Sequence, residues 1–185
     1  MTHARSLYAQ AMGDDFDRLD DTVRRFHSLR GHVRLAGHCV IDGPTSWVGR
    51  CFGRIVGVPV TRVEDHFVFE LHADETQERW TRRFPHMTMR SRMRAIDGQL
   101  VEHLGPLAFR FRLHAIDGAL TMELKRMTVF GMPLPRWFAP SIRARETGRE
   151  GRFHFEVEAS LPLLGRVTAY EGHLVLPTDG AGRPG

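Results

Sequence analysis

From Val63 to Leu176 apolar and polar residues alternate with a period of two almost without a break. A chain that keeps this period over most of its length is committed to strands, because successive strand side chains point to opposite faces. The spacing predicts strands near 66–72, 78–84, 86–96, 99–104, 107–116, 119–130, 142–146, 152–161 and 166–176, preceded by one at 32–42, about ten in all. Their connections are short and carry Asp-Gly, Gly-Pro or Gly, which is hairpin chemistry and not the helical crossover of a parallel sheet. The expected fold is mainly β (α+β), a ten-stranded antiparallel meander forming a barrel or strongly curved half-barrel.

A short repeat fixes a register. Arg92-Met93-Arg94-Ala95-Ile96-Asp97-Gly98 recurs as Arg112-Leu113-His114-Ala115-Ile116-Asp117-Gly118, so two hairpins are expected to turn at two-residue Asp-Gly loops. The second turn then pairs Ile116 with Ala119, Arg112 with Glu123, Phe111 with Leu124 and Phe109 with Arg126. The first pairs Ala95 with Leu100 and Met93 with Glu102. Joined through Gly105-Pro106, the hairpins give a row Met93, Glu102, Phe109, Arg126 on an apolar wall. A charge on such a wall is costly unless paired or wet. Glu102 and Arg126 are therefore either an internal ion pair that fixes register or groups that face a ligand.

Helical signals lie outside the strand region. Residues 6–28 read as two short helices, with an apolar stripe of Leu7, Tyr8, Ala11 and Met12 broken at Gly13-Asp14-Asp15. Trp47, Val48, Cys51, Phe52, Ile55 and Val56 recur at helical spacing after the cap candidates Thr45 and Ser46, and Gly57 and Pro59 end the run. This amphipathic helix is expected across one end of the sheet, with Gly49 and Gly53 on its exposed side. Residues 1–176 thus form one β-rich domain, and 177–185 are expected as a disordered tail.

Composition narrows the function classes. The chain has 185 residues and a net charge of +4, with Lys125 its only lysine. The face opposite the apolar wall carries Arg90, Arg92, Arg94, Arg110 and Arg112 with no aromatic residue among them to stack on bases, so no nucleic-acid partner is expected. No apolar run is long enough to span a bilayer and no signal core opens the chain, so the expectation is a cytoplasmic protein without integral membrane association. Cys39 and Cys51 are too few for a disulfide scaffold. The eleven histidines form no metal-binding pair, and no nucleophile elbow, phosphate loop or dinucleotide fingerprint is present, so neither metal nor cofactor is expected.

In Trp80-Thr81-Arg82-Arg83-Phe84, Trp80, Arg82 and Phe84 share one strand face, and Arg82 would join the interior charges or bind an anion. Glu146 shares parity with Ile142 and Ala144. The proline-stiffened connection from Gly131 to Pro140, with Trp137, is apolar enough to plug an end or form a ligand mouth.

The order of Leu7-Tyr8, Phe26-His27, Trp80-x-Arg82-x-Phe84, Ser91, Glu102-x-x-Gly105-Pro106, Gly131-x-Pro133-Leu134-Pro135, Pro140, Glu146, Gly151-Arg152-Phe153 and Tyr170-x-Gly172 resembles the bacterial domain of unknown function 4166 family. That family occurs alone or behind a part that looks like a nucleotide-dependent oxidoreductase. The resemblance implies an accessory domain, with an oxidoreductase as partner, and singles out Trp80, Arg82, Ser91, Glu102 and Glu146. The leading expectation is a lipocalin-like or helix-grip-like pocket for a small apolar or amphipathic ligand, contacted by Trp80, Arg82, Ser91, Met93, Glu102, Phe109, Arg126 and Trp137. The alternatives are a cofactor-independent isomerase, cyclase or hydrolase using Glu102 or Glu146 as general base, and a structural interaction module. The sequence leaves the oligomeric state open.

Overall fold

The computed structural model describes residues 5–135, 137–162 and 164–177. Helix α1 (Leu7–Met12), a 3-10 turn (Gly13–Arg18) and α2 (Asp21–Phe26) precede strand β1 (Gly31–Asp42), after which comes α3 (Trp47–Val56). The remaining strands are β2 (Val63–Ala73), β3 (Glu78–Phe84), β4 (Met87–Ile96), β5 (Gln99–Leu104), β6 (Leu107–Ile116), β7 (Ala119–Val129), β8 (Met132–Pro133), β9 (Ser141–Arg149), β10 (Arg152–Leu161) and β11 (Gly165–Val175). Of the expected tail, 177–185, residues 178–185 lie outside the described residues, and Pro177 is described.

Strands pair with their sequence neighbours, all antiparallel, except that β9 pairs with β7 and not with β8, and β1 also pairs with β11. Ten strands thus close into an up-and-down barrel, with β8 as a short extra strand on β7. The closure is weakest between β7 and β9, which pair over four residues. The Asp97-Gly98 and Asp117-Gly118 turns have φ of 51° and 69°, and of 51° and 77°. Positive φ at both central residues is the type I′ turn whose twist matches the flanking strands.

The register expected for the first hairpin holds, with Ala95 opposite Leu100 and Met93 opposite Glu102. The second holds from Ile116↔Ala119 to Phe111↔Leu124 and then shifts, so that Arg110 faces Arg126 and Phe109 faces Met127. Lys125 is the extra residue of a β-bulge, and one inserted residue turns everything beyond it to the other face. Arg126 is therefore exposed and Met127 takes the inward place. The proposed pairing of Glu102 with Arg126 is corrected.

The two ends of the barrel are closed differently. At one end α1, the 3-10 turn and α2 form a plug. Ser6 caps α1 by accepting from the Ala9 amide, and Asp20 caps α2 by accepting from the Thr22 amide. The plug inserts Tyr8, Val23, Phe26 and His27, all buried, and Phe26 stacks on Phe153 with ring centroids 3.8 Å apart. The Asp20 amide donates to the Gly118 carbonyl, which ties the plug to the β6–β7 turn. Strand β1 begins and β11 ends here, and the Arg25 guanidinium donates to the Pro177 carbonyl.

At the other end α3 crosses the rim, and its orientation reverses the expectation. Gly49 and Gly53 are buried, whereas Trp47 is 77% and Ile55 80% exposed. A Cβ on Gly53 would come within 2.4 Å of a Val60 methyl, and one on Gly49 within 3.3 Å of the Arg166 carbonyl oxygen. The glycine side is thus the packing side, and it turns much of the helix's apolar stripe toward solvent.

Candidate functional site: an apolar cavity backed by a buried polar cluster

Beneath α3 lies a cavity of about 500 Å³, within the range of small-molecule pockets. Phe52 and Val56 of α3 roof it, Phe109, Met127 and Val167 form its inner wall, and Phe138 stands at its side. Its position follows from strand pairing. β7 and β9 pair only from Leu120↔Glu146 to Glu123↔Arg143, and beyond that β7 pairs with β8. The wall parts there, and the bulge turns Met127 and Val129, not Arg126, toward the space. Thr168, one of the few polar residues lining it, donates its hydroxyl to the Pro59 carbonyl at 2.6 Å, which ties the chain after α3 to β11.

The buried polar groups sit elsewhere in the barrel. On β3, parity turns Glu78, Trp80, Arg82 and Phe84 inward together. The Arg82 guanidinium donates to the Ser91 hydroxyl at 3.1 Å and lies 3.5 Å from the Glu102 carboxylate, with side-chain exposures of 10% and 18% for the ion pair. Its guanidinium carbon stands 4.7 Å from the centre of the Trp80 ring, a cation–π arrangement. The indole N–H of Trp80 donates to Glu78 at 2.9 Å. Burial, first of all, pushes the Glu78 carboxyl above its ordinary range, partly opposed by His27.

His27, the C-cap residue of α2, meets Glu146 of β9 at 2.5 Å through Nε2. Its Nδ1 is buried and has no hydrogen-bond partner among the described residues. Tyr8 stacks on the imidazole with ring centroids 3.6 Å apart, and its hydroxyl points at the Met93 sulfur. Burial, followed by the nearby Glu146, raises the Tyr8 phenol well above its ordinary value. A void of about 40 Å³ touches Arg82, Glu146 and Tyr170, enough for one water by volume. On the outer wall a charged concavity of about 560 Å³ mixes Arg143, Arg145 and Arg166 with Glu156, Glu158 and Glu171, whose charges offset one another.

Of the residues predicted to contact a ligand, Trp80, Arg82, Ser91, Met93 and Glu102 come together, but in this polar cluster. Phe109 alone of the predicted set lines the large cavity, and since it pairs with Glu102 it is the shared partition. Arg126 faces outward, and Trp137 is 70% exposed, stacked on Phe138. Sequence reading assigned no site role to Glu78, His27 or Tyr8. Stepping two residues back from Trp80 exposes Glu78, whereas His27 and Tyr8 enter through tertiary packing of the plug.

The profile of a domain of unknown function, DUF4166, matches residues 19–174. The chain belongs to the DUF4166 family. No curated protein matches it. Among solved structures, "Crystal Structure of Rv2717c from M. tuberculosis" is similar over 86% of this chain and 99% of that one, with a TM-score of 0.46 and 9% sequence identity. That likeness is too distant to speak to function. Among the described residues of this DUF4166 chain no helix is long and apolar enough to cross a membrane, and no cluster of three or more metal-ligating side chains is present.

Proposed function

We propose that this DUF4166 domain binds a small apolar or amphipathic molecule in the cavity under α3, apolar part inward. The observation that carries the reading is the cavity itself, about 500 Å³ with an almost wholly hydrocarbon lining that includes Phe52, Val56, Phe109, Met127 and Val167. Leaving such surface to water costs roughly 25 cal/mol per Å² of apolar area, which an apolar occupant recovers. The charges first expected to hold a polar head are engaged elsewhere: Arg82 faces Glu102 behind Phe109, and Arg126 is outside. A polar end of the ligand is then best served at the mouth.

A fluorescent apolar probe, 1-anilinonaphthalene-8-sulfonate or a polyene fatty acid, tests this by titration. Ala159→Trp, which fills the cavity from β10, is expected to weaken the probe at least tenfold while far-ultraviolet dichroism stays unchanged. Undiminished affinity in a folded Ala159→Trp protein would sink the proposal.

The second reading, a general-base enzyme, has the His27–Glu146 contact and the adjoining small void in its favour. Glu146 is held under the plug, which leaves Glu102 as the more accessible carboxylate. Glu102→Gln separates the readings, since a binding domain keeps its probe affinity within about twofold while an enzyme of this kind loses turnover by ~100-fold or more.

A further inference from the structure

The connections at the two ends of the barrel differ in charge. At the α3 end they are 43–62, 85–86, 105–106, 130–140 and 162–164, and their sequence holds no Asp or Glu. Arg50 and Arg54 stand exposed on α3 and make no ion pair among the described residues, and Arg62 reaches Asp42 at 3.6 Å. At the plug end, by contrast, each connection after β1 carries a carboxylate: Asp74 and Glu75, Asp97, Asp117, and Glu150. The helical segment, residues 5–30, has five aspartates and five arginines and adds no net charge, so the carboxylates of these turns set the sign of that end.

The cationic end is also the oily one. Trp47 and Ile55 share the exposed side of α3 with Arg50 and Arg54, and across the cavity Trp137, Phe138, Met132 and Phe130 are exposed. Scattered apolar residues need no explanation, and Ile96, Ile116 and Val175 are such residues at the plug end, but six of the nine exposed large hydrophobics among the described residues gather at the rim of the apolar cavity. A soluble acidic partner would use the arginines and leave the indole and isoleucine in water. A second copy would bring its own arginines against these. A bilayer with anionic headgroups takes both, phosphates meeting guanidinium groups while Trp and aliphatic side chains sink to the acyl boundary.

We infer that the α3 end docks on an anionic lipid surface, with Trp47 and Ile55 inserted and Arg50 and Arg54 at the phosphates, so that the cavity mouth opens against the membrane. The difference in charge between the two sets of turns orients it, cationic rim toward the bilayer and the carboxylate-bearing turns away. Docking uses only the outer face of the rim and does not require an occupied cavity, so it stands or falls separately from the binding function proposed above.

The test is flotation or sedimentation of the ligand-free protein with vesicles of phosphatidylglycerol and phosphatidylcholine in equal parts, against phosphatidylcholine alone. The thiol of exposed Cys51 takes an environment-sensitive fluorophore, whereas Cys39 is buried and its thiol is pushed up to about 11. Expected are binding to the anionic vesicles only, loss at high salt, and a blue shift of the Cys51 label on binding. Arg50→Glu/Arg54→Glu is expected to weaken binding on the order of 30-fold or more, and Trp47→Ser/Ile55→Ser at least tenfold, with unchanged melting temperatures because all four side chains are exposed. The inference is overturned by equal binding to both vesicle types, by binding to neither, by variants that bind as wild type, or by self-association that buries Trp47 in the absence of lipid.

Discussion

Glu78 is a carboxyl whose burial favours its neutral form, and the sign of its effect on stability follows. The folded protein holds that proton to higher pH than the unfolded chain does, so the contribution is present below the ordinary value of 4.5 and is lost as pH rises through the raised folded value. Gln keeps an acceptor for the Trp80 indole and carries no charge. Glu78→Gln is therefore expected to raise the melting temperature relative to wild type by more at pH 8 than at pH 4, a difference that thermal melts across pH read directly. An advantage that grows toward acid would contradict the assignment. Glu70 offers a contrast on the outer wall, where the Arg83 guanidinium makes two hydrogen bonds to its carboxylate and holds it below the usual range.

Single elements show how far the sequence could be read. The hairpins at Asp97-Gly98 and Asp117-Gly118 were legible because turn type, strand period and local repeat agree. Arg126 was not, since a bulge leaves no mark in the alternation except after the fact: Lys125-Arg126 is polar on either reading, and only the packing of Met127 against the interior decides. Deleting Lys125 removes the bulge and leaves Arg126 opposite Arg110 and Met127 opposite Phe109, so the inward set is kept. The expected cost is small, about 1 kcal/mol or less, seen as a cooperative denaturation midpoint close to that of the wild type, whereas loss of the transition would contradict the bulge. Helix α3 was legible as a helix and misread in orientation. Amphipathicity says which residues share a face, whereas the close fit of Gly49 and Gly53 against β11 and Val60 decides which face is buried.

For the molecule as a whole, closure rests on one seam between its first and last strands, with Gly37 opposite Leu174 and Cys39 opposite Gly172. Each of those two glycines admits backbone where a Cβ would collide: on Gly172 it would stand 2.1 Å from the His38 carbonyl oxygen, on Gly37 1.8 Å from that of His173. Gly172→Ala is expected to cost about 3 kcal/mol or more, measured by denaturant unfolding, with the loss shared by the entire barrel. The cavity was foreseen only in kind. Alternation gave an oily interior, but its location depends on where β7 and β9 part, and the polar cluster depends on a plug whose docking no periodicity reveals. The seam also brings the start of β1 and the end of β11 to the plug end, where Arg25 holds Pro177. Any tether joined to either end of the described chain would leave from that pole, so a covalently attached neighbour, reporter or resin would leave the opposite pole unobstructed.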